Sequence, residues 1–357
     1  MYKVVIEGAY GEKNFGDDAL LKVIYDKVVS EFDSEDILIR SKTKVMDYPL
    51  VELIGESIVK TVDDTRDLKA ENIIYGGGTQ FFFFKKSSSL RHKISMAISN
   101  PYLIWIFFQR RLFKYRIDAK SHYVGVGIGP FEDESKLEQL KGHFENYDSF
   151  FVRDKVSERY ALKLGIDRVQ RYTDICFSED YNNILKKRNK VSKIAVILRD
   201  WPHSNSNFTA SVLNEKLSNE DGIEYIILGN DLTLEKELKS LGLKFKSYDP
   251  NKEDFLDFIK YLNNFDLIVT SRYHGAIYSV LLEIPCIALS IEPKLSIAAN
   301  ELGLYSCLDY SNLNELPDLI DNLKINIKSE VFKISKVRLE KKIEADDMLS
   351  ILMDKLK

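Results

Sequence analysis

Three short β-branched runs in the second half of the chain each end in a segment that carries a cation. The pairs of run and cation are Leu267–Thr270 with Arg272, Cys286–Ser290 with Lys294, and Lys193–Leu198 with Arg199. The carboxyl ends of parallel strands meet at one edge of a sheet, so we expect these three cations to lie close together. A cluster of this kind predicts a binding site for a small, highly charged anion.

His274 and Gly275 strengthen this prediction, because they follow Arg272 where a helix is expected to begin with Ser271 as its N-cap. The free backbone N–H groups at a helix start attract anions. Gly275 has no side chain, which would let a ligand approach the backbone closely. The alternative is that each residue is ordinary: a solvated cation or a structural histidine. The shared strand-end position favours a site.

The first half of the chain offers residues suited to a polyhydroxylated ligand. The glycine-rich turn at 8–18 contains Asn14, Asp17 and Asp18. It lacks both the GxGxxG spacing and a Walker lysine, and its two aspartates would repel a pyrophosphate. These aspartates could accept hydrogen bonds from sugar hydroxyls. The alternative is that they only interact favourably with the positive end of the helix dipole.

A second glycine-rich strand end and an Arg-Asp pair complete the set of candidates in the first half. The strand end contains Gly77, Thr79 and Gln80, which we assign with the glycine-rich turn to acceptor binding. Arg153 and Asp154 follow another predicted strand. Arg153 is a further candidate anion ligand, and the alternative is a local ion pair between these two neighbours.

Strand-like runs alternate with helical patterns throughout, which predicts an α/β protein with two Rossmann-like, doubly wound domains facing a cleft. We expect an N-terminal domain at 1–181, on the acceptor side, and a C-terminal domain at 193–330, on the anion side. The polar stretch 182–192 is the predicted linker. A charged amphipathic helix at 331–357 is predicted to close the chain.

The composition excludes several classes of protein. A net charge of −4 over 357 residues gives no general case for nucleic-acid binding. The cysteines Cys176, Cys286 and Cys307 are widely separated and show no metal-ligand spacing, so we expect reduced core thiols, no metal and a cytoplasmic location. The sequence contains no run of about 18 uncharged apolar residues.

Taken in order, these motifs resemble the polysaccharide pyruvyl transferase family. The matching segments are NFGDDAL (14–20), YGGGT (75–79), VGVGIGP (124–130), FVRDKVSERYALKLGI (151–166), TDICF (173–177), SRYHGA (271–276), and EPKL with LGL (292–304). The resemblance implies a GT-B-like pair of domains in which the C-terminal helix crosses back to the first. By motif match it also implies functional roles for Arg153, His274 and Lys294, whereas Arg199 fits less tightly.

The resemblance further implies a reaction in which phosphoenolpyruvate and two hydroxyls of one sugar give a cyclic ketal and phosphate, without a cofactor. Phosphoenolpyruvate carries about three negative charges near neutral pH, and arginine forks match its carboxylate and phosphate. A histidine beside such anions keeps its proton more readily and could protonate the methylene carbon. The base for the second step could be His274 or a carboxylate such as Asp17.

The stretch Phe81–Ile117 contains eight Lys or Arg residues, no Asp or Glu, and many interleaved aromatics. This mixture is typical of segments at a membrane surface, where a lipid-linked acceptor would be found. We therefore expect peripheral contact with the inner face of the membrane. The alternative is that the aromatics are core residues and the cations a solvated face.

Two other functions fit parts of the same pattern. A GT-B-type glycosyltransferase could use the cations to hold the diphosphate of a nucleotide sugar. A non-catalytic glycan-binding relative is a second alternative, although the presence of Arg153, His274 and Lys294 argues against it. Measurements of phosphoenolpyruvate binding and of phosphate release would distinguish these two functions from a pyruvyl transferase.

Overall fold

A computed structural model describes residues 1–41, 58–61, 68–83, 118–131, 147–199 and 208–357, together with positions 137, 140 and 144. The strands in this part of the chain are β1 Tyr2–Glu7, β2 Ile37–Ser41, β3 Ile58–Thr61, β4 Lys69–Gly76, β5 Thr79–Phe83, β6 Asp118–Phe131, β7 Ser149–Val152, β8 Val169–Arg171, β9 Ile194–Ile197, β10 Ile223–Ile227, β11 Phe245–Ser247, β12 Leu267–Thr270, β13 Cys286–Leu289 and β14 Ser306–Leu308.

The α-helices described are α1 Phe15–Val29, α2 Lys155–Lys163, α3 Ala210–Lys216, α4 Leu232–Ser240, α5 Phe255–Leu262, α6 Tyr273–Leu281, α7 Pro293–Glu301 and α8 Leu316–Leu356. Short 3₁₀ helices cover Ser34–Asp36, Ile175–Ser178 and Tyr310–Glu315. Four of the eight described α-helices follow a residue whose side chain accepts a hydrogen bond from a backbone N–H of the first turn. Asn14, Asp154 and Thr209 are examples.

The first half of the chain forms a parallel sheet in the order β3-β2-β1-β4-β6-β7-β8, with β5 paired to β6. The central strands are continuous apolar runs, which is typical of parallel sheets that are buried on both faces. Val4, Val5 and Ile6 of β1, for example, have no exposed surface.

The second half forms a separate parallel sheet in the order β11-β10-β9-β12-β13-β14, the 3-2-1-4-5-6 arrangement of Rossmann folds. Thr270, the last residue of β12, is in register with Ile197 of β9 and Ala288 of β13. The loops after these three strands therefore leave the sheet at one edge. The prediction of two doubly wound α/β units is confirmed.

The start of α1 joins the two halves. The backbone N–H of Phe15 donates to the carbonyl of Leu228, over 3.0 Å. The Phe15 ring enters an aromatic cluster of the second half, with ring centroids 4.6–5.3 Å away. The partner rings are Tyr248, Phe255, Phe258 and Tyr278. This contact holds the NFGDDAL segment against the second sheet.

The C-terminal helix α8 begins at Leu316 rather than at Val331, with Pro317 in its first turn, a position where proline is favoured. It crosses back to the first half, as predicted. Asn72 Nδ2 donates to the carbonyl of Leu356 over 3.2 Å, and Lys355 Nζ donates to the carbonyl of Asp148 over 2.9 Å. Among the described helices, none combines the length and the apolar character needed to cross a bilayer.

The predicted linker 182–192 contacts the second half, because buried Arg188 donates hydrogen bonds to the carbonyls of Asn263, Phe265 and Leu282. One further expectation needs correction. Cys176 and Cys286 are buried as expected, but Cys307 is exposed, since it lies on the edge strand β14. It is therefore a surface thiol and not a core residue.

Candidate functional site

The loop from β12 into α6 carries the central residues of the site. The N-cap of α6 is Arg272 and not Ser271; the hydroxyl of Ser271 instead accepts the backbone N–H of Arg199, at 3.0 Å. Gly275 is buried, and a Cβ there would lie 2.3 Å from Thr270 Oγ1. Glycine is thus required for packing of α6 on β12, and not for the approach of a ligand that the sequence suggested.

His274 faces the first half of the molecule at the start of α1. A Cβ on Gly16 would lie 2.0 Å from His274 Nδ1, so only glycine allows this approach. The other ring nitrogen, Nε2, is buried and has no hydrogen-bond partner among the described residues. The imidazole therefore lies at the junction of the two halves, with an unused hydrogen-bonding atom.

The pKa of His274 is lowered to about 4. Burial is the main cause, and the positive charges of Arg153, Lys294 and Arg272 lower it further, against the opposing effect of Asp174. Without a ligand, the imidazole is neutral near pH 7. The expectation that His274 keeps its proton beside the anions of a substrate concerns the bound state and stays a prediction.

Arg153 extends from the end of β7 into the same region. Its guanidinium lies 3.6 Å from both Asp154 and Asp174 and 4.0 Å above the centroid of the Tyr273 ring. A Cβ on Gly127 would come within 2.8 Å of the guanidinium, so this glycine of β6 provides the space. The local pair with Asp154 is present, but Arg153 also contacts the second half through Tyr273.

The three strand-end cations of the second half meet around buried Glu292. Lys294 Nζ lies 3.0 Å from Glu292 Oε1, and an Arg199 guanidinium nitrogen lies 3.8 Å from the same oxygen. Burial lowers the pKa of Lys294 to about 8 despite this carboxylate. Burial and the charge of Arg199 lower that of Arg272 to about 10. Burial is the main cause of both shifts, because it disfavours the charged form of a base.

The first-half candidates divide into two groups. Asn14 caps α1 and donates from Nδ2 to Asp17 Oδ2 over 2.6 Å, and partly exposed Asp17 interacts electrostatically with Arg199 and Arg272. Asp18, in contrast, has no exposed surface and accepts a hydrogen bond from the Tyr248 hydroxyl at 3.0 Å. Asp18 therefore joins the two halves and is not accessible to a sugar.

The second glycine-rich strand end lies beside α1. Gly77 and Gly78 both have positive φ, and a Cβ on Gly78 would lie 3.6 Å from Asp17 Oδ1. Thr79 and Gln80 begin β5, but the predictions for their side chains fall outside what the structure describes. Gly78 thus lies beside Asp17, whereas buried Gly77 packs against Leu20 of α1.

Sequence reasoning missed four residues that build this site: Asp174, Tyr273, Glu292 and Phe15. Each lies inside a motif already identified, and Tyr273 and Phe15 directly follow the chosen residues Arg272 and Asn14. Asp174 caps the 3₁₀ helix Ile175–Ser178 and contacts Arg153. The available signal was membership of a motif, which local sequence alone does not convert into a contact with a particular cation.

Asp174, Cys176 and His274 offer ligand atoms within 4.8 Å of one another, a spacing that a metal ion could use. The charges oppose this use. Burial and the carboxylate of Asp174 raise the pKa of the Cys176 thiol, which disfavours the thiolate that a metal needs. The cations that lower the pKa of His274 would also repel a metal ion. The arrangement favours an anion.

Comparisons with known proteins agree with this picture. The model of a family described as polysaccharide pyruvyl transferase matches residues 14–293. A search of curated protein sequences finds no match.

Among solved structures, similarity to HepE from Anabaena, in complex with UDP and glucose, spans 100% of this chain and 99% of that one, at 12% identity and a TM-score of 0.58. A putative UDP-N-acetylglucosamine 2-epimerase from Listeria monocytogenes matches 98% of this chain and 95% of its own, at 14% identity and a TM-score of 0.56. The wall teichoic acid polymerase TagF matches 99% of this chain and 90% of its own, at 11% identity and a TM-score of 0.54. At these identities the similarity shows the fold.

Proposed function

Because the chain belongs to the polysaccharide pyruvyl transferase family, we propose that it transfers pyruvate from phosphoenolpyruvate to two hydroxyls of one sugar in a bacterial surface polysaccharide or its lipid-linked precursor. The products are a cyclic ketal and inorganic phosphate. One observation carries the proposal: Arg153, Arg272 and Lys294 all act electrostatically on His274, at the junction of the two halves. Guanidinium and ammonium groups suit the carboxylate and phosphate of this substrate.

Binding of phosphoenolpyruvate would reverse the charge environment of His274. Burial and three cations lower the pKa of His274 to about 4. The substrate's roughly three negative charges would offset the cations and raise this pKa, which favours uptake of a proton by the ring. The imidazolium would then protonate the methylene carbon, which becomes a methyl group, and carbon 2 becomes electrophilic. In this proposal, His274 becomes a protonated general acid only when the substrate is bound.

The remaining steps use the acceptor. The oxygen of one sugar hydroxyl bonds to carbon 2, and its proton passes to a base, either His274 after it has lost its own proton or Asp17. The bond between carbon 2 and the phosphate oxygen breaks, and the second hydroxyl closes the ring. Of the two hydroxyl protons, one replaces the proton delivered to the methyl group and the other leaves with phosphate. No step requires a metal.

The space at this site is small in the present arrangement. Residues of both halves, including Gly127, Arg153, Pro293 and Lys294, line a gap of about 20 Å³. This volume holds about one water molecule. Substrate entry therefore requires the two halves to separate around the contact of Gly16 with His274.

The proposal is tested by incubating the full chain with phosphoenolpyruvate and a panel of synthetic and lipid-linked glycosides. Mass spectrometry should detect a gain of one pyruvate less one water on the accepted sugar, with release of phosphate. Calorimetric binding of a nucleotide sugar, without binding of phosphoenolpyruvate, would instead favour a glycosyltransferase.

A further inference from the structure

A second space lies at the carboxyl ends of β10 and β11, apart from the gap at Arg153. The cavity has a volume of about 680 Å³, within the range of about 300–1,000 Å³ that is usual for small-molecule sites. Most of its lining comes from the second half, including Asn230, Phe245 and Tyr248. Lys13 is the contribution of the first half.

The cavity adjoins the cation cluster through a single backbone segment. A Cβ on Gly229 would lie 2.7 Å from an Arg272 guanidinium nitrogen and 3.6 Å from the carbonyl oxygen of Lys13. The chain then runs from Lys13 to Gly16, against which His274 packs. The segment 13–16 therefore connects the rim of the cavity to the surroundings of His274.

The charges of the cavity differ from those of the cation cluster. Each of its four lysines lies within 4.0 Å of a carboxylate that also lines the cavity. The pairs are Lys13 with Asp249, Lys239 with Glu235, Lys246 with Glu253 and Lys252 with Asp249. The lining thus offers donors and acceptors in near balance, beside the rings of Phe245 and Tyr248. This chemistry suits an uncharged, polyhydroxylated ligand better than an anion.

Lys13 has an unusual backbone conformation for its residue type. Its φ of 53° lies in the left-handed region, where residues other than glycine are uncommon and often functional. The turn brings its ammonium group to 3.8 Å from Asp249 Oδ1 of the second half. The first half therefore contributes a charged side chain to the rim of a cavity that the second half otherwise builds.

We propose that this cavity is a saccharide subsite, which binds a sugar unit of the acceptor next to the unit that receives pyruvate. The identification of this saccharide as the acceptor rests on the proposed function, but the cavity and its chemistry do not. The acceptor then approaches along the second half, and the first half supplies Lys13, Asn14 and Asp17. This placement revises the assignment of acceptor binding to the first half alone.

The test uses the full chain and an Asn230→Trp variant, which fills the cavity mouth from an exposed position. An Asn326→Trp variant, on the exposed side of α8, is the matched control. Saturation-transfer NMR measures binding of short oligosaccharides built from hexose and N-acetylhexosamine units. Calorimetry measures binding of phosphoenolpyruvate and, separately, of UDP.

We expect Asn230→Trp to weaken oligosaccharide binding by about tenfold or more, with phosphoenolpyruvate binding unchanged and the control equal to wild type. Unchanged oligosaccharide binding by Asn230→Trp, no oligosaccharide bound by wild type, or UDP displacing the oligosaccharide would each overturn the inference. A wild-type protein that binds oligosaccharide through the cavity but does not bind phosphoenolpyruvate would refute the proposed function and leave the subsite standing.

Discussion

At the scale of single residues, the site is defined by one buried imidazole among charged groups. Burial, together with three cations and against one carboxylate, lowers the pKa of His274 to about 4, so the ring is neutral in the ligand-free protein. A general acid prepared in this way is inactive until an anion arrives. This coupling would limit protonation of other molecules by the empty site.

The first prediction concerns His274 itself. Replacing it with alanine or glutamine should lower the rate of ketal formation by about 10²–10⁴-fold, the usual contribution of general acid catalysis. Steady-state kinetics would measure the loss, and thermal unfolding would verify that the variants remain folded. Turnover at the wild-type rate in either folded variant would remove His274 from the reaction.

The second prediction concerns the cations. Lys294→Ala should weaken phosphoenolpyruvate binding by about 1.5–3 kcal/mol, the range for a hydrogen bond to a charged group. The control is Lys260→Ala, which removes an exposed lysine that pairs with Asp257. Arg153→Lys should also weaken binding, because lysine lacks the bidentate fork while still balancing Asp154 and Asp174. An increase confined to the acceptor KM would assign these residues to the other substrate.

The third prediction is a pH dependence of binding. The ligand-free pKa of His274 is about 4, and a bound anion raises it. Between these two values binding takes up a proton, so phosphoenolpyruvate affinity should increase as the pH falls through the bound-state pKa. Calorimetry in buffers of different ionisation enthalpy would count the proton. His274→Gln should remove this uptake, and an unchanged proton count in that variant would show that another group is responsible.

Much of the residue-level site could be predicted from sequence, because its cations follow strands whose ends must meet. Arg199, Arg272 and Lys294 were identified in this way. The register of Thr270 with Ile197 shows that β12 and β9 end side by side, which brings the residues after them together. The role of Asp18 was not predictable. Its hydrogen-bond partner Tyr248 is 230 positions away, and no local pattern identifies it.

At the scale of elements, strand positions were predicted well and helix starts less well. β12 has the bounds that its apolar run indicated, whereas α1 begins at Phe15, inside the stretch 8–18 that was predicted to be a turn. The early start depends on capping by Asn14 and on burial of Phe15 in the second half. Tertiary contacts of this kind override the local helical period.

The fourth prediction uses the start of α1. Gly16→Ala should lower transfer by about 10²-fold, because the added methyl group would lie 2.0 Å from His274 Nδ1 and displace the ring. Alanine is the better helix former, so the helix itself should not be weakened. Lys27→Ala, at an exposed position of the same helix, is the control. Kinetics alongside thermal unfolding would separate the two effects, and full activity in Gly16→Ala would show that this close contact is dispensable.

At the scale of the whole molecule, two Rossmann-like halves meet at the edges that carry the candidate site and are tied together at both ends of the chain. Phe15 inserts into the second half, and α8 returns to the first. These ties keep the halves together while the gap of about 20 Å³ between Arg153 and Lys294 has to open for substrate. The closed arrangement would exclude water from the charged intermediate.

The last prediction concerns the stretch Phe81–Ile117, of which 84–117 lie outside the described residues. It carries eight cations and no acid in a chain of net charge −4, leaving −12 for the rest. Each cation near an anionic surface contributes about 1 kcal/mol. We therefore expect the protein to float with anionic vesicles at low salt and to dissociate from them at high salt. It should not bind neutral vesicles.

Replacing Arg110, Arg111 and Lys114 with serine should abolish this flotation and lower activity on lipid-linked acceptors more than on soluble ones. The same change at Lys328, Lys333 and Lys336, which are exposed on α8, removes equal charge and should have little effect. If both triple variants lose flotation equally, total charge and not this segment governs the binding. If wild type fails to float with anionic vesicles at low salt, the segment does not contact a membrane surface, and its aromatics belong to the core of the first half.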